Sequence, residues 1–286
     1  MQKHEHNQVQ ESPNHADVFS EPSPPRSAFL FLRLMFGARG FKPTVIILYA
    51  VFALTIWKYI PPAPRILAVQ TQTESSAFEK GNAQFQVNFL KSAPPRSSNV
   101  VDFIWNARKL WSAFLLMGLA PACIVKFVFR ENLSDYGLSL GNGKRTCLCA
   151  LFFIPVFAVL GWLSGADAAF YDVYPFNPLA GLSYGALLAH SIMYVLLYYL
   201  AWEFMFRGFI QHGLLDTAGA PTAICVQVLA STMLHYGHPE SETLGCIAGG
   251  VFWGFLAIRT RSILAGWSQH AVLGVLLDWS LILKAA

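Results

Sequence analysis

Long apolar stretches separated by short polar segments dominate the chain. Seven stretches approach the roughly 20 residues that a helix needs to cross a bilayer: 43–60, 110–129, 147–164, 181–202, 221–236, 243–258 and 262–283. A segment inside a bilayer must satisfy its own backbone polar groups, which a helix does. The pattern therefore predicts an all-α, polytopic transmembrane helical bundle of about seven spans, within a range of six to eight.

The composition agrees with this pattern. Of the 286 residues, 55% are hydrophobic and 13% are charged, whereas soluble domains carry roughly 25% charged residues. The net charge is only +4, and the basic residues lie between apolar runs instead of forming an aromatic-interleaved patch, so we predict no nucleic-acid partner. The five cysteines lie in or beside apolar segments, which favours small core residues over a disulfide framework.

The alternation of polar and apolar segments divides the chain into four parts. Residues 1–27 are polar and rich in Pro and Ser, which predicts a disordered tail. Residues 28–42 are apolar with basic anchors but too short to span, which is typical of an interfacial helix. Residues 43–129 hold the first two spans and the long loop 61–109. Residues 130–286 form the membrane domain that carries the candidate catalytic residues.

The distribution of Lys and Arg predicts the orientation, because these residues favour the cytoplasmic side in short loops. With the N-terminus inside, the basic loops before the first span, after residue 129 and after residue 258 are all cytoplasmic. The loops 165–180 and 237–242, which then lie outside, contain no Lys or Arg. We therefore predict a multi-pass protein of the cell membrane with a cytoplasmic N-terminus and the lipid bilayer as a partner.

Four ionisable residues in the last four spans are candidates for function, because such a residue in the apolar core costs ~2.5–3.5 kcal/mol on insertion scales. Glu203 and Arg207 are four residues apart and share a helix face. His235 ends the fifth predicted span, and His270 lies within the last. Taken singly, each has a structural explanation, as a local ion pair or a hydrogen-bonded core histidine. A rise of about 1.5 Å per residue gives Glu203, His235 and His270 similar depths, so we predict that they meet in one pocket.

These side chains suit water-dependent hydrolysis of a peptide bond. A carboxylate kept from water can act as a general base near neutral pH, one imidazole can share the proton, and another can donate to the oxyanion. Arg207 would hold Glu203 in place. Glu203, His235 and His270 could instead bind Zn2+ with an open position for water. Since the chain contains no HExxH run, we predict no metal and no other cofactor, with zinc as the alternative.

The motifs around these residues resemble the CPBP family of CAAX proteases and bacteriocin-processing enzymes, also called the Abi family. The resemblance covers about residues 130 to 283 and rests on SDYGL at 134–138, YDVYPFNP at 171–178, WEFMFRGF at 202–209, LHYGHPE at 234–240 and RTRSILAGWSQH at 259–270. It implies an intramembrane endopeptidase that cleaves a membrane-associated or prenylated protein or peptide. Glu203 would activate the water, with Arg207, His235 and His270 as the other catalytic residues.

Three positions depart from the family's motifs. Trp202 replaces the first Glu of EExxxR, and Ser231 replaces the Phe of FxxxH. Gly274 stands where Asn or Asp commonly follows the last histidine, so an oxyanion donor is missing unless Asp278 or a backbone group replaces it. These departures leave an alternative open, a catalytically silent relative that acts as a membrane peptide-binding, chaperone-like or bacteriocin-immunity module. A transporter is disfavoured, because the spans show no inverted repeat.

Overall fold

Helices account for all the long apolar stretches in the computed structural model, which describes residues 28–61 and 100–285. The described residues contain no strand. The helices are α1 (Ala28–Tyr59), α2 (Val100–Asn106), α3 (Arg108–Phe129), α4 (Gly143–Ser164), α5 (Tyr184–Leu234), α6 (Glu240–Thr260) and α7 (Leu264–Ala285). Short 3-10 helices occupy Leu133–Tyr136, Ala168–Asp172 and Pro178–Leu182. The predicted all-α fold class is confirmed.

Five of these helices contain segments that are long and apolar enough to cross a membrane: Gly40–Tyr59 of α1, and α3, α4, α5 and α6. The last helix, α7, is 22 residues long and carries the seventh predicted span. Together with the apolar composition, these helices make the chain an integral membrane protein.

The residue contacts divide the chain into two units, Met1–Phe41 and Lys42–Ala286. Of the first unit, the structure describes the beginning of α1, where Gly37 departs from helical geometry with φ 64° and ψ 174°. The predicted disordered tail, residues 1–27, and most of the predicted loop 61–109 lie outside the described residues. The interfacial position of residues 28–42 stays a prediction.

The fourth and fifth predicted spans are two arms of the single element α5, which breaks at Gly219 (φ 73°, ψ 162°). The first arm, 184–218, continues well beyond residue 202, where the apolar stretch predicted its end. It can do so because the polar residues Glu203, Arg207 and Gln211 follow one another at four-residue intervals on one face. All three are buried inside the second unit, at 0%, 2% and 0% exposure, and are thereby shielded from lipid.

In the second unit, α7 packs against α4 and α5. At Gly161 of α4, a Cβ would overlap the backbone of Leu273, so the two helices approach there to backbone contact. The second arm of α5, 220–234, packs against α6. As a result, α7 presents its buried face to the middle of the first arm of α5, where the polar residues lie.

Candidate active site

Glu203, Arg207 and His270 form one buried polar cluster between α5 and α7. The Oε1 atom of Glu203 accepts hydrogen bonds from Nη1 of Arg207 at 3.1 Å and from Nδ1 of His270 at 2.8 Å. The arginine bond joins residues one turn apart, whereas the histidine bond joins two helices. The other carboxylate oxygen, Oε2, is buried without a hydrogen-bond partner. Because Nδ1 of His270 donates to this carboxylate, Nε2 is the nitrogen left for other chemistry.

Trp253 of α6 fixes the orientation of this cluster from a third helix. Its ring stacks on His270 with a centroid distance of 4.3 Å and an interplanar angle of 23°. The guanidinium of Arg207 lies 5.4 Å from the same ring centroid, at a distance where a cation is attracted to the ring face. The indole nitrogen of Trp253 donates to Gln269 at 3.0 Å. The imidazole of His270 is thus held both by a hydrogen bond and by stacking.

His235 lies at the end of the second arm of α5 and has different partners. Its Nδ1 donates to the backbone carbonyl of Ser231 at 2.8 Å, and its Nε2 lies 3.6 Å from Oε1 of Glu242. Glu242 also accepts from Nδ1 of His238 at 3.1 Å and from the hydroxyl of Tyr174 at 2.5 Å. Burial raises the pKa of Tyr174 well above its usual value, and the charge of Glu242 adds to this shift, so the tyrosine is the proton donor.

The local sequence explains how this second cluster forms. Only five residues, 235–239, connect α5 to α6, and Gly237 takes a positive φ of 90° in the turn. The amide of His238 donates to the carbonyl of His235 at 2.9 Å, and the hydroxyl of Thr243 donates to the same carbonyl at 3.1 Å. Glu242 lies in the first turn of α6, where a carboxylate is favoured by the helix dipole.

A cavity of about 420 Å³ connects the two clusters. His270 lines it from α7, His235 from the end of α5, and Glu242 from α6. Most of the remaining wall is aromatic or small: Phe157, Phe170, Tyr174, Tyr198, Tyr199, Trp202, Gly245, Cys246, Gly249, Phe252, Trp253 and Gly274. Such a wall suits an apolar chain, and the few polar groups in it can orient that chain.

All four predicted site residues lie near this cavity, but they belong to two separate clusters. Glu203, Arg207 and His270 are in direct contact, and His235 shares the cavity wall with His270. Glu203 is fully buried and does not line the cavity. The zinc set considered from the sequence, Glu203, His235 and His270, does not converge on one point, because Glu203 faces Arg207 and His270 while His235 faces Glu242.

Two of the three positions that depart from the family's motifs, Trp202 and Gly274, lie on the cavity wall. The ring of Trp202, at the position of the first Glu, lies edge-on to His235 at 5.5 Å and to His270 at 6.4 Å between centroids. The hydroxyl of Tyr199 fills the space of a side chain at Gly274, since a Cβ there would overlap it. The ring of Tyr199 also lies 4.7 Å from that of His270.

The sequence reasoning missed three participants and one buried pair. His238, Glu242 and Tyr174 were assigned to loops at the membrane surface, where ionisable side chains are common. His190 forms a buried pair with Asp278 at 2.9 Å. A signal for His190 was present, because it interrupts the apolar stretch LLAHSIMYV. Asp278 is held by His190, so it does not replace the missing donor beside His270.

One comparison with known proteins gives a match, over residues 179–276, to the family described as type II CAAX prenyl endopeptidase Rce1-like. The matched segment is about a third of the chain and contains Glu203, Arg207, His235 and His270. The resemblance to CAAX proteases inferred from the sequence is confirmed over this segment. No curated protein and no solved structure matches the chain.

Proposed function

We propose, from the similarity of residues 179–276 to type II CAAX prenyl endopeptidases, that this chain is an intramembrane endopeptidase. Its substrate would be a membrane-associated or prenylated protein or peptide. One observation carries the proposal: His235 and His270, from two helices, line the same cavity, and each is held through Nδ1. This leaves Nε2 of both rings for the reacting groups.

In this proposal, Glu203 activates the water through His270 instead of touching it. Nε2 of His270 takes a proton from the water as the water oxygen attacks the peptide carbonyl carbon. The Glu203 carboxylate, 2.8 Å from Nδ1, stabilises the imidazolium that forms. When the carbon–nitrogen bond breaks, His270 returns the proton to the departing amine. Arg207 balances the charge of Glu203 and keeps its carboxylate oriented.

The developing oxyanion needs a donor, and Tyr199 is in a suitable place to be one. Its hydroxyl takes the space left by Gly274, one helical turn after His270, and Tyr199 lines the cavity. A preoriented donor in a water-poor site stabilises the tetrahedral intermediate strongly. His235, on the other side of Trp202, would orient the substrate or share the proton.

The test compares processing of membrane peptides by the wild type and by His270→Gln and Glu203→Gln in proteoliposomes. New peptide ends are measured by mass spectrometry. We expect both variants to lose at least about 100-fold in rate, because His270→Gln removes the general base and Glu203→Gln removes the carboxylate that stabilises its charged form. His190→Gln is the matched control, because His190 is also a buried histidine paired with a carboxylate but does not line the cavity. Unchanged processing in both variants would sink the peptidase mechanism.

A second candidate function is peptide binding without hydrolysis. The observation that favours it is the position of Trp202, whose ring takes the place of a cavity carboxylate and contacts both histidine rings. A silent module would capture an apolar peptide and release it with its ends unchanged, and Glu203→Gln would capture it equally well. Cleavage by the wild type and capture without cleavage by Glu203→Gln would instead favour the endopeptidase.

The proposed function also includes the membrane in which the chain lies and its orientation there. We place the chain in the cell membrane with a cytoplasmic N-terminus, and we propose the lipid bilayer and a membrane-held peptide as its partners. The basic residues before the first span, after residue 129 and after residue 258 support this orientation.

A further inference from the structure

His235, His238 and Glu242 bring their ligand atoms together at the end of the cavity. All of these atoms lie within 4.8 Å of one another. The Oε1 atom of Glu242 is 3.1 Å from Nδ1 of His238 and 3.6 Å from Nε2 of His235. Two ligands on a tetrahedral zinc ion, each about 2.0–2.1 Å from the metal, are separated by about 3.3 Å. Two of the three separations in the structure, 3.1 and 3.6 Å, are therefore close to those of a formed metal site.

The surroundings of the three residues are those of metal ligands. His235 donates its other ring N–H to the carbonyl of Ser231, which directs the lone pair of Nε2 toward Glu242. The hydroxyl of Tyr174 donates to Oε1 of Glu242 and fixes the carboxylate from the outside. The second oxygen, Oε2, is buried without a hydrogen-bond partner. A buried carboxylate oxygen without a donor is costly unless a cation or a water satisfies it.

The turn that carries the cluster is held in place independently of any ligand. The ammonium of Lys58 donates to the carbonyls of Leu234 and Tyr236, both at 2.8 Å, at the end of α5. This cation thus holds the backbone of the turn through two hydrogen bonds, and its charge also interacts with that of Glu242. The ligand-bearing residues thus lie on a fixed turn, which lowers the entropic cost of binding a metal.

We propose that His235, His238 and Glu242 bind one divalent transition-metal ion of the zinc class. Two imidazole nitrogens and one carboxylate leave a fourth position of a tetrahedral ion open. His235 and Glu242 line the cavity, so a water or a substrate group can reach this position from it. Binding displaces the Nδ1 proton of His238, whereas Nε2 of His235 already presents a lone pair.

The metal would also act on the proposed reaction, and this step rests on the proposed function. The ion would supply Lewis-acid polarisation of a water or a carbonyl oxygen in the cavity that His270 also lines. The binding site itself requires no peptidase activity, so the two ideas can fail separately.

The test measures binding of Zn2+ by the purified full-length protein in nanodiscs, after treatment with a chelator, by equilibrium dialysis. We expect one bound ion that is lost on Glu242→Gln and His238→Gln, with affinity reduced at least about 100-fold. His190→Gln, which alters a buried histidine outside the cluster, should bind as the wild type does. Zinc that binds elsewhere on the chain would persist in all variants and is subtracted.

Co2+ provides a second readout that does not depend on affinity alone. A tetrahedral Co2+ ion in the wild type should give visible absorption bands, which should vanish in Glu242→Gln. Thermal unfolding of each variant shows whether it is folded. The proposed site is wrong if the wild type binds no specific zinc ion, or if folded Glu242→Gln and His238→Gln bind zinc as tightly as the wild type does. If the wild type binds zinc at this site but processes no peptide, the proposed peptidase function is wrong and the metal site stands.

Discussion

Gly274 shows how one residue changes the chemistry available beside His270. A family pattern with Asn or Asp at this position would place a polar side chain next to the histidine, but here the space belongs to Tyr199. The phenol hydroxyl can donate one hydrogen bond, as an amide could. In the proposed mechanism, the departure from the motif exchanges one donor for another carried by a different helix.

Removal of the Tyr199 hydroxyl should slow peptide cleavage. Tyr199→Phe deletes the proposed oxyanion donor and keeps the ring against His270, so we expect the rate constant for cleavage to fall about 100-fold or more with little effect on substrate affinity. The measurement is single-turnover cleavage in proteoliposomes.

Tyr198→Phe is the matched control for this variant. Tyr198 is the neighbouring tyrosine and lines the same cavity, but its hydroxyl does not occupy the space beside Gly274. Equal rates for the two variants would remove Tyr199 from the mechanism.

Removing one charge of the buried Glu203–Arg207 pair should lower the stability of the protein more than removing both. Both side chains are shielded from water, at 0% and 3% exposure. Glu203→Gln leaves the guanidinium without its counter-charge, and such a change costs about 3–5 kcal/mol in buried pairs. The double variant Glu203→Gln/Arg207→Met removes both charges and should regain much of the loss. Denaturation midpoints in detergent measure this, and a double variant less stable than Glu203→Gln would contradict the pairing argument.

At the scale of helices, the sequence predicted most spans within a few residues but misplaced one boundary. The stretch 243–258 corresponds to α6, and 262–283 corresponds to α7. The span 181–202 was ended too early, because Glu203 and Arg207 lower the local hydrophobicity. A hydrophobicity pattern cannot show that these charges face protein and not lipid, since that depends on α6 and α7 packing over them.

The same limit applies to the candidate site. The four-residue spacing of Glu203 and Arg207 predicts their shared face, because that relation lies within one helix. The partners of His235 and His270 depend on which helices are neighbours, and depth along the membrane normal does not determine this. Glu242 illustrates the point: its position at the start of α6 suggests a solvated residue, whereas the short turn 235–239 places it against His235.

Gly219 should be required for the break between the two arms of α5. Its φ of 73° with ψ of 162° is a conformation that residues other than glycine avoid at a cost of about 1–3 kcal/mol. A Cβ at this position would meet no atom within 4 Å, so Gly219→Ala tests the backbone alone. We expect a stability loss of about that size, measured by the midpoint of thermal unfolding.

Gly245 provides the comparison for Gly219→Ala. It also has open space around it but lies inside α6 with helical geometry. Gly245→Ala should be neutral or slightly stabilising, because alanine favours a helix. A similar loss in both variants would show that the break does not depend on glycine.

At the scale of the whole second unit, the loops fall into two groups on opposite ends of the helices. The loops that follow α3 and α6 are joined by hydrogen bonds, from the amide of Asn142 to Thr260 at 2.7 Å and from the hydroxyl of Ser262 to Ser139 at 2.6 Å. Arg145, Arg259 and Arg261 gather there. The loop after α4 contributes Tyr174, which reaches Glu242 at the other end.

Because the loops form two groups, labelling one engineered cysteine in each group tests the orientation of the protein in the membrane. With the cytoplasmic side assigned to the basic loops, a cysteine at Lys144 should be shielded from an impermeant maleimide in intact cells, and one at Ala166 should react. Both residues are exposed, and the five native cysteines are replaced first. After permeabilisation both should react.

The labelling result also decides from which side a peptide reaches the histidines. Tyr174, His235 and Glu242 lie at the same end as Ala166, so the predicted pattern places the polar end of the cavity at the non-cytoplasmic surface. A substrate would then approach from that side, with its apolar portion along the aromatic wall. Labelling of Lys144→Cys alone in intact cells would reverse the orientation and bring the same end to the cytoplasmic surface. Because the geometry of the histidines is unchanged by this reversal, the experiment tests the membrane sidedness separately from the chemistry.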